Sequence, residues 1–227
     1  MVPDRPLIPD RPPVPDGPPV PDRPAVPDRP AVPADLSPTV RPPGRTEAAV
    51  GALLLGLSMV AGLVVRLHPG PSALDRRGFA IIAKSNSTLL HRISDLGSPG
   101  VLVLGTLLAA MVVVRVDRWR AAACVAGPVV TAVLVELVFK PLVARRYLGV
   151  LSYPSGTVAD VAAVMTAWAV AVPGWIRPAV VGLGAVVVVS MMVAVVGLRW
   201  HYPTDALAGA VLGVGTVLTV DGAVHLR

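Results

Sequence analysis

Ala179-Val-Val-Gly-Leu-Gly-Ala-Val-Val-Val-Val-Ser-Met-Met-Val-Ala-Val-Val-Gly-Leu198 runs for twenty residues without a charged side chain. A helix needs about 20 apolar residues to cross the hydrocarbon core of a bilayer, and this stretch supplies them unbroken. Outward from it, similar runs occupy about 47–66, 98–115, 121–139, 157–175 and 204–223, with the quoted run itself spanning 178–198. They are rich in Val, Ala and Leu, with glycines inside the runs, the make-up of packed membrane helices. Pro128 and Pro173 are tolerable there for the same reason. Six such runs in about 180 residues predict an all-α fold, a six-helix transmembrane bundle. Composition agrees: 54% of the chain is hydrophobic and 15% charged, against about 25% charged in ordinary soluble domains. Mean hydropathy is +0.69.

The chain divides near residue 46. Residues 1–45 hold 16 of the 25 prolines, in an imperfect hexapeptide array. Val-Pro-Asp-Arg-Pro-Leu begins at Val2, and close copies begin at Ile8, Val14, Val20, Val26 and Val32. Proline at that density removes backbone donors and fixes φ, so neither helix nor sheet propagates. The expectation is a disordered tail over 1–45, with no partner identified, and a membrane domain over 46–227. The tail has no apolar core of the kind a signal peptide needs. The single cysteine, Cys124, excludes an intrachain disulfide framework, and four scattered histidines argue against a metal centre. The net charge is +6. With only 4% aromatics and scattered basic residues, the chain lacks the stacking platforms of a nucleic-acid binder, so a membrane lipid is the expected partner.

Six crossings put the loops at about 67–97, 140–156 and 199–203 on one face, and the polar residues of interest fall in them. Lys140, Arg145 and Arg146 lie within seven residues, followed by Tyr153-Pro154-Ser155-Gly156-Thr157 opening a helix. Backbone N–H groups at a helix start, beside a hydroxyl and cations, can seat a phosphate; cations anchoring helix ends at the headgroups are the alternative. Glu136 lies one turn before Lys140 and pairs with it on one helix face. His201-Tyr202-Pro203-Thr204-Asp205 places a carboxylate four residues after an imidazole. The carboxylate would hold one ring nitrogen and leave the other free as base or nucleophile; an interfacial turn with a dipole-stabilised Asp is the alternative. Between Leu74 and Leu96, apolar and basic residues alternate as in an amphipathic helix lying in the headgroup region.

These residues resemble the type 2 phosphatidic acid phosphatase (PAP2) superfamily of membrane lipid phosphatases. Phe139-Lys140-Pro141-Leu142-Val143 with Arg145 is similar to its first motif, Tyr153-Pro154-Ser155-Gly156 to its second, and His201 to Asp205 with Leu207-Ala208-Gly209 to its third. The resemblance covers roughly 46–225. It implies a phosphatase acting on a lipid phosphate or polyprenyl pyrophosphate through a phosphohistidine, without metal or other cofactor. By that resemblance His201 attacks phosphorus, Asp205 orients the ring, and Lys140, Arg145, Arg146, Ser155 and Gly156 hold the phosphoryl oxygens.

The chain departs from the family pattern at three places. Thr157 stands where the family has the histidine that protonates the leaving alcohol; Val195 and Tyr147 stand where it has arginines. His91 and Asp160 are candidates to replace the lost acid, and a pyrophosphate substrate would need it less. The alternative reading is a catalytically inactive relative that binds lipid phosphates or serves a structural role. Counting Lys and Arg favours a cytoplasmic site. The cost of moving a charged tail across the bilayer, and the resemblance, favour an extracytoplasmic site in the plasma membrane with the tail inside, which is the orientation expected.

Overall fold

The structure, a computed structural model, describes residues 45–225; the proline repeats and the last two residues lie outside the described part. The described chain is mostly helical: α1 (Arg45–Leu67), α2 (Ala73–Ile81), α3 (Thr88–Ser94), α4 (Pro99–Val113), α5 (Arg118–Val133), α6 (Lys140–Val143), α7 (Gly156–Ala171), α8 (Arg177–Gly197) and α9 (Pro203–His225). A π-helical stretch, Leu134–Phe139, joins α5 to α6, so Arg118–Val143 is one continuous helix of 26 residues. Pro141 has no N–H to offer the carbonyl one turn back, and the π turns lie immediately before it.

Every apolar run of the sequence is helical. Four helices are long and apolar enough to cross a membrane: Arg45–Leu67, Arg118–Val143, Arg177–Gly197 and Pro203–His225. The other two runs make shorter helices. α4 has 15 residues, and its axis is bent by 50° from the segment Thr88–Gly97 before it. α7 has 16 residues, about 24 Å at 1.5 Å per residue.

α7 is the centre of the bundle. Apart from Thr157, Asp160 and Thr166 its residues are apolar on all sides, the pattern of a helix surrounded by others. It packs against α4, α5, α8 and α9. α1 and α8 lie outside and turn Leu53, Val60, Leu63, Leu183 and Val186 outward, as helices facing lipid do. Small residues allow the closest crossing. A Cβ at Gly209 would collide with the Ser155 carbonyl oxygen, and one at Gly213 with that of Ala159. Glycine at these two places therefore brings the backbones of α9 and α7 into contact.

Two local expectations are corrected. The expected interfacial helix over 74–96 is two short helices, α2 and α3. Ser85-Asn86-Ser87 interrupts it, because short polar side chains compete for the backbone. Ser87 instead caps α3, and Ser85 N donates to the Gly197 carbonyl at 3.0 Å. The described chain is also not purely α. Arg146–Tyr147 and Val150–Leu151 form an antiparallel hairpin, β1 and β2. Its turn residues Leu148 and Gly149 both lie at positive φ, 48° and 87°, which a two-residue hairpin turn requires.

Candidate active site

Three loops meet at one end of the bundle, and Arg145 is where they join. α6 stops at Ala144, whose left-handed φ of 55° turns the chain inward. Arg145 then sits 1% exposed with every donor in use. Nε donates to the Pro69 carbonyl at 3.2 Å. Nη1 donates to Thr204 Oγ1 at 2.8 Å and Asp205 Oδ1 at 2.6 Å. Nη2 donates to the Gly70 carbonyl at 3.1 Å and Asp75 Oδ2 at 2.8 Å. The guanidinium also lies 4.0 Å from the centre of the Tyr202 ring. A guanidinium has five N–H groups, so none is left for a phosphate. The expected role of Arg145 as a phosphate ligand is corrected: it is a strut tying the α1–α2 loop to the start of α9.

Asp75 is the residue that sequence reasoning missed. Its only local signal is Ser72-Ala-Leu-Asp75, a capping box in which Ser72 and Asp75 satisfy each other's backbone N–H at the start of α2. Its second oxygen reaches across the fold to Thr204, accepting from N at 2.9 Å and Oγ1 at 2.7 Å. Burial pushes the Asp75 carboxyl up, but the bonds from Arg145, Thr204 and Ser72 outweigh it and hold the group below the ordinary carboxylate range.

Asp205 is fully buried and faces Arg145 and the Tyr202 N–H (3.3 Å). It does not hold the His201 ring, as the sequence spacing implied. The reason is electrostatic: a buried carboxylate takes a guanidinium in preference to a neutral imidazole. His201 is oriented instead by a backbone carbonyl, its Nδ1 lying 3.0 Å from Ser152 O. A carbonyl only accepts, so Nδ1 carries the hydrogen and Nε2 keeps its lone pair. Burial, reinforced by the charge of Lys140 and opposed by the Ser152 bond, pushes the imidazole down to about 4. The ring is neutral at pH 7 and nucleophilic at Nε2.

The second loop stands beside it. Ser155 N donates to the Asp205 carbonyl at 2.9 Å, which pins the start of α7 to the start of α9. Ser155 Oγ is buried with no hydrogen-bond partner among the described residues. Lys140 pairs with Glu136 at 2.5 Å, one helical turn away, as the spacing predicts. A Cβ at Gly156 would lie 3.2 Å from Glu136 Oε1 and 3.9 Å from Lys140 Nζ. Glycine there lets the lysine reach the first turn of α7.

The other candidates point elsewhere. Arg146 is exposed and donates to the Gly149 carbonyl at 2.8 Å, closing the hairpin. Arg199 reaches the Phe79 carbonyl and stacks 4.1 Å from that ring's centre. His91 is exposed, its Nδ1 3.1 Å from the Ser87 carbonyl. Thr157 turns its methyl group to Gly97. Among the described residues, no group of His, Cys, Asp and Glu could hold a metal ion.

At the opposite end a second charged cluster also escaped the sequence. His225 Nε2 lies 3.0 Å from Asp117 Oδ2, and Arg120 Nε lies 3.8 Å from Asp221 Oδ1. Arg177 pairs with Glu47 at 3.3 Å. These partners come from four helices, so no spacing along the chain announces them.

No protein-family model, curated protein or solved structure matches this chain.

Proposed function

We propose that this chain is an integral membrane phosphohydrolase of the PAP2 kind, taking a lipid phosphate or polyprenyl pyrophosphate and acting through a phosphohistidine at His201. One observation carries the reading: a neutral imidazole, anchored at Nδ1 by Ser152, stands within the field of Lys140. Lys140 in turn lies against the first turn of α7. Positive potential from an ammonium and from helix N–H groups draws phosphoryl oxygens and stabilises charge as it develops. Nε2 attacks phosphorus, the leaving group departs, and water then releases phosphate from the ring. Ser155 Oγ, buried and without a partner among the described residues, would donate to a phosphoryl oxygen.

The lipid part of the reading rests on the long apolar helices; an apolar cavity of about 990 Å³ between α1, α2 and α9 borders Asp75, Arg145 and Thr204 rather than His201 or Lys140. In this reading all six apolar helices cross the plasma membrane, the site lies outside, and the proline tail lies inside. A second reading is a protein that binds lipid phosphates without turning them over. The engagement of Arg145 with two carboxylates and the absence of an imidazole at Thr157 favour it. The two are separated by incubating purified protein with ³²P-labelled lipid phosphate and quenching in alkali, where phosphohistidine survives. We expect labelled protein, with the label lost in His201→Ala. Binding of lipid phosphate without any labelling favours the second reading.

A further inference from the structure

An alkoxide is a poor leaving group, so cleaving a phosphate monoester calls for a proton donor at the ester oxygen. His201 cannot be that donor, since its one hydrogen is committed to Ser152. Asp160 lies one helical turn after Gly156, on the same face of α7, where Glu136 and Lys140 meet that helix. Its Oδ1 is buried and has no hydrogen-bond partner among the described residues. Lys140 is already bonded to Glu136, which leaves Asp160 without a cation of its own among the described residues. A carboxyl buried without a hydrogen-bond partner or a cation of its own is costly as an anion. The same Glu136 and Lys140 act electrostatically on both Asp160 and His201, so this ion pair links the two.

We propose that Asp160 is the proton donor to the leaving oxygen, a catalytic residue that makes monoesters substrates of this site. The inference rests on the phosphohydrolase reading above. As the Nε2–P bond forms, the P–O bond breaks and its electron pair goes to the ester oxygen, which takes the Asp160 proton and leaves as an alcohol. Water then attacks phosphorus and gives a proton to the Asp160 carboxylate. The P–N bond breaks and its pair returns to Nε2, so the cycle closes with one water consumed.

The test compares leaving groups in Asp160→Asn, an isosteric change without an ionisable proton. Detergent-purified protein is assayed on dioleoyl phosphatidate, which must expel an alkoxide, and on farnesyl pyrophosphate, which expels a phosphate. General acid catalysis contributes roughly 10²–10⁴-fold. We therefore expect a loss of about 10²-fold or more on phosphatidate, with less than about a tenfold loss on the pyrophosphate. Equal losses on both, or no loss, with His201 still labelled from ³²P-substrate, overturn the donor role alone. Wild-type protein that hydrolyses neither substrate and takes no label overturns the phosphohydrolase reading and the donor role with it.

Discussion

At the scale of single residues, the site is governed by where charge is neutralised. His201 is held below its ordinary pKa of about 6.5, down to about 4, so its lone pair persists into acid. The acid limb of kcat/KM is expected near 4, and a proton NMR titration should show this ring unprotonated at pH 5, where an exposed histidine is charged. The linkage has a definite sign. Between the unfolded value near 6.5 and the folded value near 4, the unfolded chain binds more protons, so stability falls as pH falls through that window. The linkage through Arg145 has the same sign in a more acidic window, since its carboxylate partner Asp75 is held below the ordinary range. That contribution is complete above about 3.9 and is lost only as pH falls through the folded value. Removing one member of a buried ion pair costs about 3–5 kcal/mol, so Arg145→Ala should lose most of its thermal stability in detergent. Arg145→Lys should rescue it only partly, because one ammonium cannot reach five acceptors. A variant as stable as the parent would contradict the strut. Lys140 and Arg145 are both cations of one segment; burial between two carboxylates makes Arg145 the strut.

Among elements, the decisive contact is the crossing of α7 and α9. It sets the Pro-Ser-Gly turn against the histidine loop, and it exists because Gly209 and Gly213 carry no Cβ. Gly209→Ala would drive a methyl into the Ser155 backbone, and overpacking of this kind costs about 1–3 kcal/mol. The variant should melt lower and lose phosphohistidine labelling together. Gly182→Ala on α8 is the control, since a Cβ there meets nothing within 4 Å and should leave both unchanged. The helices themselves were legible in the sequence, because run length and apolar content are local properties. The break between α2 and α3 at Ser85-Asn86-Ser87 was not read, because the basic and apolar alternation around it concealed the interruption. The hairpin at 146–151 is shorter than any periodic signal and was not legible.

For the whole molecule, orientation is the outstanding quantity. The site face gathers Lys140, Arg145 and Arg146, yet Arg145 is neutralised inside the fold and Lys140 is paired with Glu136. Positive charge spent inside the protein does not anchor a loop to the cytoplasm, which removes part of the bias toward a cytoplasmic site. Single cysteines at Val150 and Arg118, both exposed, in a Cys124→Ser background, are expected to react oppositely with an impermeant maleimide on intact cells. Label at 150 and not at 118 is the expected result; the reverse would put the site in the cytoplasm. By itself the sequence determined that this chain has apolar helices suited to a bilayer, where they begin, and that polar residues gather in three of the loops. Those features follow from composition over some twenty residues at a time. Only the tertiary structure decided which groups pair. Arg145 meets carboxylates 70 and 60 residues away, and His201 takes a carbonyl 49 residues away. In a low-dielectric interior each charge is satisfied by whatever opposite group packing brings within reach, and that choice is not written in local spacing.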